Sequence, residues 1–143
     1  MGMRPPNAPD IRFRVDFYDR CSVGTGKIRL LEAVERTGSL SQAARETPMS
    51  YRRAWLLIDS MNAEFDTPVI SATIGGSGGG GAKLTAFGRE LIAAYRALER
   101  RLSILAAEHL GNIAAHAINR GRRAAAGGVP PREKISRPLK RRR

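Results

Sequence analysis

The sequence is short of the residues on which most catalytic and metal sites depend. It contains one cysteine, Cys21, and two histidines, His109 and His116. A lone cysteine cannot form an internal disulfide and has no partner for a multi-cysteine metal site, so we interpret Cys21 as a structural thiol. The two histidines would lie about 10 Å apart along one helix, which is too far for both to bind one ion. These shortages predict no enzymatic activity, no metal site and no cofactor.

Long hydrophobic runs are also missing. No stretch approaches the ~18 consecutive apolar residues of a membrane span, and the first ten residues, MGMRPPNAPD, lack the apolar centre of a signal peptide. We therefore expect a cytoplasmic protein that has no contact with a membrane. A length of 143 residues with 42% hydrophobic side chains allows one domain with a modest core.

Acidic residues are scarce at the end of the chain, where basic residues dominate. The net charge is +12, and residues 120–143 hold ten Lys and Arg against one Glu, a net charge of +9. This segment has few large apolar side chains, so it cannot bury enough surface to fold alone. It is either a solubilising extension or an arm that binds a polyanion. We expect disorder at residues 1–10 and 119–143.

Hydrophobic periodicity predicts an α-rich domain over residues 11–84. Apolar and polar residues alternate over residues 11–18, as in a half-buried strand, and the loop SVGTG follows. Helical spacing predicts a first helix over about residues 26–37, with a stop at Thr37-Gly38. A capping box formed by Ser39 and Gln42 then opens a short second helix, which must end before Pro48.

The third helix is predicted in SYRRAWLLIDSMNAEF, with Ser50 as its N-cap. Its apolar stripe consists of Ala54, Leu57, Ile58, Met61 and Phe65. Arg52 would point away from this stripe, while Tyr51 and Arg53 flank it in the same exposed turn. Trp55 lies beside the stripe, and we expect it in the core; the alternative is that it stacks on a base.

The glycine-rich stretch IGGSGGGGAKLT follows the third helix and a probable strand, PVISATI. Six of the seven residues 75–81 are glycine. A dinucleotide-binding loop would need a helix to begin at its third glycine, but the extended residues AKL intervene. A linker is also a poor interpretation, because regular elements lie close on both sides. We therefore predict a hairpin tip whose glycines let the backbone approach a ligand closely.

A long final helix is predicted over residues 85–118, capped by Thr85. Leu91, Leu98 and Leu105 recur every seven residues, and Tyr95 and Leu102 lie on the neighbouring heptad column. This spacing predicts a dimer seam. The alternative is that the first two turns of the helix pack on their own domain.

This order of elements is that of a winged helix-turn-helix. The predicted fold is therefore mainly α with a small β-hairpin, followed by a long C-terminal dimerisation helix. In such folds the third helix enters the major groove and the hairpin is the wing. The predicted DNA contacts come from the helix start and from the wing: Ser50, Tyr51, Arg52, Arg53, Gly76, Gly78, Gly79 and Lys83.

Three stretches also carry a family resemblance: GKIRLLEAVERTGSLSQAAR, MSYRRAWLLIDSMN and GGSGGGGAKLTAFGRELIAAYR. Together they resemble the N-terminal DNA-binding domain of the ModE-type molybdate-responsive transcription regulators, which are related to the LysR-type winged helix. The resemblance covers about residues 11–102. It implies a dimeric, sequence-specific protein that binds double-stranded DNA, with the helix after Thr85 as the dimerisation element.

The sequence departs from that family at two places. Regulators that sense molybdate carry a second, β-rich domain after the long helix, whereas a basic tail follows it here, so molybdate binding is not expected from this chain alone. Pro48 stands where such domains usually have glycine in the turn. Because proline fixes φ near −65°, we expect the turn to be remodelled.

We therefore hypothesise a homodimeric transcriptional regulator. The alternative is a heterodimerising or architectural DNA-binding subunit that modulates a full-length regulator.

Overall fold

A computed structural model of the chain describes residues 9–19, 21–73 and 81–117. Residues 1–8 and 119–143 of the predicted disordered ends, and the wing glycines Gly76, Gly78 and Gly79, lie outside these residues. Within the described ranges, no helix is long and apolar enough to cross a membrane. The elements, in chain order, are β1 (Arg14–Phe17), β2 (Cys21–Gly24), α1 (Thr25–Thr37), α2 (Leu40–Glu46), α3 (Tyr51–Glu64), β3 (Ile70–Thr73), β4 (Gly81–Leu84) and α4 (Ala86–Ala114).

The first two strands form an antiparallel hairpin in front of α1. The predicted first strand is confirmed at β1, but the predicted SVGTG loop is wrong, because most of it belongs to β2 or begins α1. In β2, Cys21 and Val23 are buried while the residues between and after them are half-buried. This alternation over only four residues was too short to stand out in the sequence.

Helix α1 supplies the centre of the core. Its buried side chains are Ile28, Leu30, Leu31, Ala33 and Val34. The helix ends at Gly38, which has a left-handed φ of 65° and donates its N–H to the Val34 carbonyl at 2.8 Å. The predicted glycine stop is therefore confirmed, and it takes the conformation that glycine adopts at least cost.

The predicted N-caps of the other three helices are also confirmed. Ser39 accepts from the Gln42 N–H at 3.4 Å, Ser50 from the Arg53 N–H at 3.1 Å, and Thr85 from the Gly88 N–H at 3.0 Å. The capping box at α2 is only half formed, because the Ser39 N–H donates to Thr37 Oγ1 instead of to the Gln42 side chain.

Helix α4 is fixed to α1 by charged pairs. The Arg96 guanidinium donates two hydrogen bonds of 2.7 Å to the Glu32 carboxylate and one of 2.6 Å to Glu99. Arg89 bonds Glu35 at 2.9 Å. The paired carboxylates raise the pKa of Arg96. These contacts set the direction of the long helix relative to the core.

Tyr95 was predicted in the dimer seam, and this prediction is wrong. Its ring is 4% exposed and stacks on Phe13, with ring centroids 4.5 Å apart. Its hydroxyl donates to the Phe13 carbonyl at 2.8 Å and lies 3.1 Å from Thr25 Oγ1. Leu91 likewise packs against the core. The first turns of α4 therefore cover their own domain, as the alternative interpretation expected.

The described elements confirm a winged helix-turn-helix with a long C-terminal helix. Helices α2 and α3 are the helix-turn-helix pair, and β3 and β4 pair antiparallel as the wing, with Ile70 opposite Leu84 and Thr73 opposite Gly81.

Candidate nucleic-acid interface

Helix α3 is held against the core by one face and leaves the other in solvent. Ala54, Ile58 and Met61 are buried, and Leu57 and Phe65 pack at the edge of the core. The predicted apolar stripe is thus confirmed. The opposite face is available to a ligand.

The first turn of α3 presents the predicted polar side chains. The Ser50 hydroxyl caps the helix through the Arg53 N–H, so the three residues that follow Ser50 begin the helix. Tyr51, Arg52 and Arg53 are all exposed. The N-cap therefore places one phenol and two guanidinium groups at the start of the third helix, where a phosphate would also meet the helix dipole.

The two arginines of this turn have no ionic partner among the described residues. Several arginines elsewhere in the domain do: Arg36 pairs with Glu46, Arg89 with Glu35 and Arg96 with Glu32. Because Arg52 and Arg53 are not neutralised by the domain itself, an incoming anion would not have to displace a carboxylate. These two side chains are therefore the strongest candidates for a polyanion.

Trp55 was predicted in the core, and this prediction is wrong. Trp55 is 50% exposed and its neighbour Leu56 is 53% exposed. At about 100° per residue, Trp55 lies about 100° from Ala54, at the edge of the buried stripe, where only part of an indole can be covered. Periodicity could have indicated this position, but the average preference of tryptophan for the interior outweighed it.

Arg45 is another residue that sequence reasoning missed. It lies in the last turn of α2, is exposed, and forms no ion pair with the described parts of the chain. The first helix of a helix-turn-helix crosses the phosphate backbone. Its position on α2 was the signal that could have identified Arg45 as a candidate phosphate contact.

The turn between α2 and α3 is built without a left-handed residue. Thr47 ends α2 with φ −100° and ψ 27°, and its hydroxyl donates to the Ala43 carbonyl at 2.7 Å. After Pro48, the Met49 N–H donates to the Ala44 carbonyl at 3.1 Å. The Thr47 side chain and one backbone hydrogen bond from Met49 thus close the turn, in which Pro48 cannot adopt a positive φ.

The wing is tied to the third helix by a single amide. Asn62 Oδ1 accepts from the Val69 N–H at 2.8 Å and the Ile70 N–H at 3.4 Å, and its Nδ2 donates to the Ile70 carbonyl at 3.0 Å. On the other strand, the Ala82 N–H donates to the Gly38 carbonyl at 3.1 Å. Lys83 is exposed between buried Ala82 and Leu84. The hairpin is therefore positioned by both α3 and the end of α1.

We expect Asn62→Ala to destabilise the fold by about 1–3 kcal/mol, because it leaves backbone groups of the buried Val69 and Ile70 without their partner. Asn62→Asp keeps the acceptor oxygen but sets a second acceptor oxygen against the Ile70 carbonyl, so it should also destabilise the fold. Urea denaturation measures the free energy of unfolding of both variants. Asn112→Ala, on the exposed side of α4, is the matched control, and a loss as large as that of Asn62→Ala would contradict the proposed tie.

Buried and paired groups beneath α3 account for the pKa shifts near the site. Burial raises the pKa of the Cys21 thiol, and the neighbouring Glu64 carboxylate adds to the effect. Burial alone would raise the pKa of Glu64, but a hydrogen bond from Ser60 (2.6 Å) and the Lys27 ammonium (3.5 Å) outweigh it and lower that pKa. The ionised Glu64 thus joins α3 to α1. In the described part of the chain, no three His, Cys, Asp or Glu residues are grouped to hold a metal ion.

Comparison with known proteins defines the class of this domain. Residues 26–89 match the family described as "Bacterial regulatory helix-turn-helix protein, lysR family". These residues run from the start of α1 through the wing to the first turn of α4. They therefore form a LysR-type helix-turn-helix domain.

Individual relatives match the N-terminal part of the chain. It is 51% identical over 73 residues to the molybdenum transport protein ModE of Azotobacter vinelandii, covering 51% of this chain and 27% of that protein. It is 49% identical over 77 residues to the molybdenum-pterin-binding protein MopB of Rhodobacter capsulatus, covering 54% of this chain and 28% of that protein. It is 41% identical over 69 residues to the DNA-binding transcriptional dual regulator ModE of Escherichia coli K12, covering 48% of this chain and 26% of that protein. The matched part is thus consistent with a ModE-type DNA-binding domain, and it spans under a third of each of these relatives.

Proposed function

We propose that this protein is a sequence-specific transcriptional regulator that binds double-stranded DNA. The observation that carries the proposal is the exposed first turn of α3, in which Arg52 and Arg53 have no carboxylate partner within the described residues. The match to a LysR-type helix-turn-helix and the similarity to transcriptional regulators support it. The proposal assigns no enzymatic activity, and it places the protein in the cytoplasm with its DNA.

In this proposal α3 lies in the major groove. Arg52, which points away from the core, reads a guanine edge, and Arg53 binds guanine or phosphate. Tyr51 donates its hydroxyl or stacks, and the start of the helix at Ser50 accepts a phosphate. Lys83 and the wing residues Gly76, Gly78 and Gly79 are proposed backbone contacts, and Arg45 is a phosphate contact from α2.

We also propose that the second half of α4 forms a homodimer. Leu98 is 40% exposed and Leu105 is 48% exposed, and Leu102 lies between them on the same face. Ile113 continues this face two turns further and is 64% exposed. Beyond Glu99, the described part of α4 makes no hydrogen bond or ion pair with another element. A second copy of the same helix would cover this face, which we call the α4 seam: Leu98, Leu102, Leu105 and Ile113.

We expect Leu102→Ala to weaken dimerisation by roughly tenfold, the loss typical of removing one well-packed interface side chain. Sedimentation over a concentration series measures the shift in the monomer–dimer midpoint. Ile104→Ala is the matched control, because Ile104 is exposed on the far side of α4. Equal effects of the two substitutions would contradict this seam, and a mixed complex with another chain would favour the heterodimer.

The experiment that tests the proposed function is a binding comparison. Duplexes enriched by the full chain from a randomised library would be titrated against scrambled duplexes of equal length, over a range of salt. We expect a specificity ratio of ~10³ or more that persists at raised salt. Equal and steeply salt-dependent binding to both duplexes would overturn site-specific recognition, since phosphate contacts alone produce that behaviour.

The proposal includes no molybdate site. The relatives with molybdenum in their names are matched over only 27% and 28% of their own length. Repeating the titration with molybdate tests this point directly. A change in affinity would show an oxyanion site on this chain and would contradict the expectation.

A further inference from the structure

An apolar pair lies on the outer face of α3. Trp55 and Leu56 are both about half exposed, whereas the remaining large apolar side chains of the helix are buried or pack against the core. Exposing an indole and an isobutyl group side by side leaves apolar surface in water with no benefit to the isolated domain. The pair therefore suits a ligand that contacts this face.

The apolar pair shares its face with Arg52. Trp55 and Leu56 are three and four residues after Arg52, so both lie one turn further along the helix and on either side of it. The distance from Arg52 to the pair along the helix axis is roughly 4.5–6 Å. The next exposed side chain on this face is Asp59, another turn away.

The charge around the pair identifies its partner. Arg52 and Arg53 carry two positive charges that no described residue neutralises, and the chain has a net charge of +12. A purely apolar protein partner would bury both guanidinium groups without a counter-charge, which is costly. Double-stranded DNA supplies phosphates for the charges and, in its major groove, one apolar group, the C5-methyl of thymine.

We propose that Trp55 and Leu56 contact thymine methyl groups and are specificity-determining residues. This inference rests on the proposed function. Successive bases of one strand are spaced about 3.4 Å apart along the duplex. A side chain roughly 4.5–6 Å beyond Arg52 therefore meets a base one or two positions from the guanine that Arg52 reads.

The direct test changes the DNA and leaves the protein intact. Each thymine of the enriched duplex is replaced in turn by deoxyuridine, which removes only the C5-methyl group. We expect the full chain to lose about fourfold in affinity at each contacted thymine, the loss that corresponds to exposing one buried methyl group. The sensitive thymines should lie one or two base pairs from the guanine at which Arg52→Ala loses discrimination.

Protein variants identify the side chains responsible. Trp55→Ala and Leu56→Ala should each bind the thymine and deoxyuridine duplexes equally well at the position that the removed side chain contacts. Both residues are half exposed, and alanine favours helix, so the fold should persist. Tyr18→Ala is the matched control: Tyr18 is 99% exposed at the β1–β2 turn, and its variant should keep the full methyl preference.

Three negative results can be distinguished. If an enriched duplex depends on Arg52 but deoxyuridine has no effect at any position, the thymine contact is overturned and the regulator remains. If no sequence is enriched and random duplexes bind equally, the proposed function and this inference both fail. A methyl preference that persists in both α3 variants would assign it to another side chain and would also overturn the inference.

Discussion

Arg52→Ala should reduce affinity for the cognate duplex by about 1–3 kcal/mol, while binding to random duplex changes far less. The reason is that Arg52 points away from the core, has no carboxylate partner among the described residues, and carries two parallel donors that match a guanine edge. Fluorescence anisotropy with the enriched and scrambled duplexes at fixed salt measures both affinities. Discrimination should be lost mainly at one guanine of the site.

The control for this substitution removes the same charge elsewhere. Arg101 is exposed on α4 and forms no ion pair within the described ranges. Arg101→Ala should weaken both duplexes slightly and equally, through the electrostatic field alone. An equal loss on both duplexes for Arg52→Ala would show that Arg52 binds phosphate and reads no base.

Gly88→Ala should destabilise the domain by about 3 kcal/mol, near the upper end of the range for overpacking a core. A β-carbon at Gly88 would lie 2.2 Å from the Val69 carbonyl oxygen and 3.1 Å from a methyl group of Leu84. The same Val69 carbonyl accepts from the Thr85 N–H at 3.0 Å, so it cannot move without breaking the start of α4. Thermal and urea unfolding measure the loss.

Gly111→Ala, on the same helix, should have the opposite effect on the stability of the fold. Nothing lies within 4 Å of a β-carbon built at Gly111. Alanine is favoured over glycine inside a helix by about 1 kcal/mol, so this substitution should stabilise the fold. If Gly88→Ala also stabilised the protein, the close approach of α4 to Val69, which directly precedes the first strand of the wing, would be wrong.

Local chemistry explains why the helices of this domain were predictable from sequence. Ser39, Ser50 and Thr85 each cap a helix through one side-chain oxygen, and Gly38 ends another with a positive φ. These signals act over three or four residues, so they can be read without knowing the tertiary structure. They also fixed the turn of α3 that holds the candidate DNA contacts.

The misplaced residues depend on contacts between distant parts of the chain. Tyr95 fits a heptad column, but its ring stacks on Phe13, which is 82 residues away in the sequence. Trp55 lies at the edge of a stripe, and only the shape of the core decides how much of it is covered. Asn62 gave no sequence signal at all, because its role depends on where β3 passes. Helical periodicity identifies the apolar face of one helix, but it does not show which distant residues pack against that face.

The clamp between α1 and α4 has a consequence for the geometry of a dimer. Arg96 and Arg89 on α4 pair with Glu32 and Glu35 on α1, and these pairs hold the long helix in one direction relative to the helix-turn-helix. In the proposed dimer, the two α3 helices would then be held at one distance from each other and in one relative orientation. One extra base pair between the two half-sites rotates the second half-site by roughly a tenth of a helical turn. The second α3 helix would then no longer face its major groove. Selectivity for half-site spacing would thus depend on two carboxylates, Glu32 and Glu35, that are not among the proposed DNA contacts.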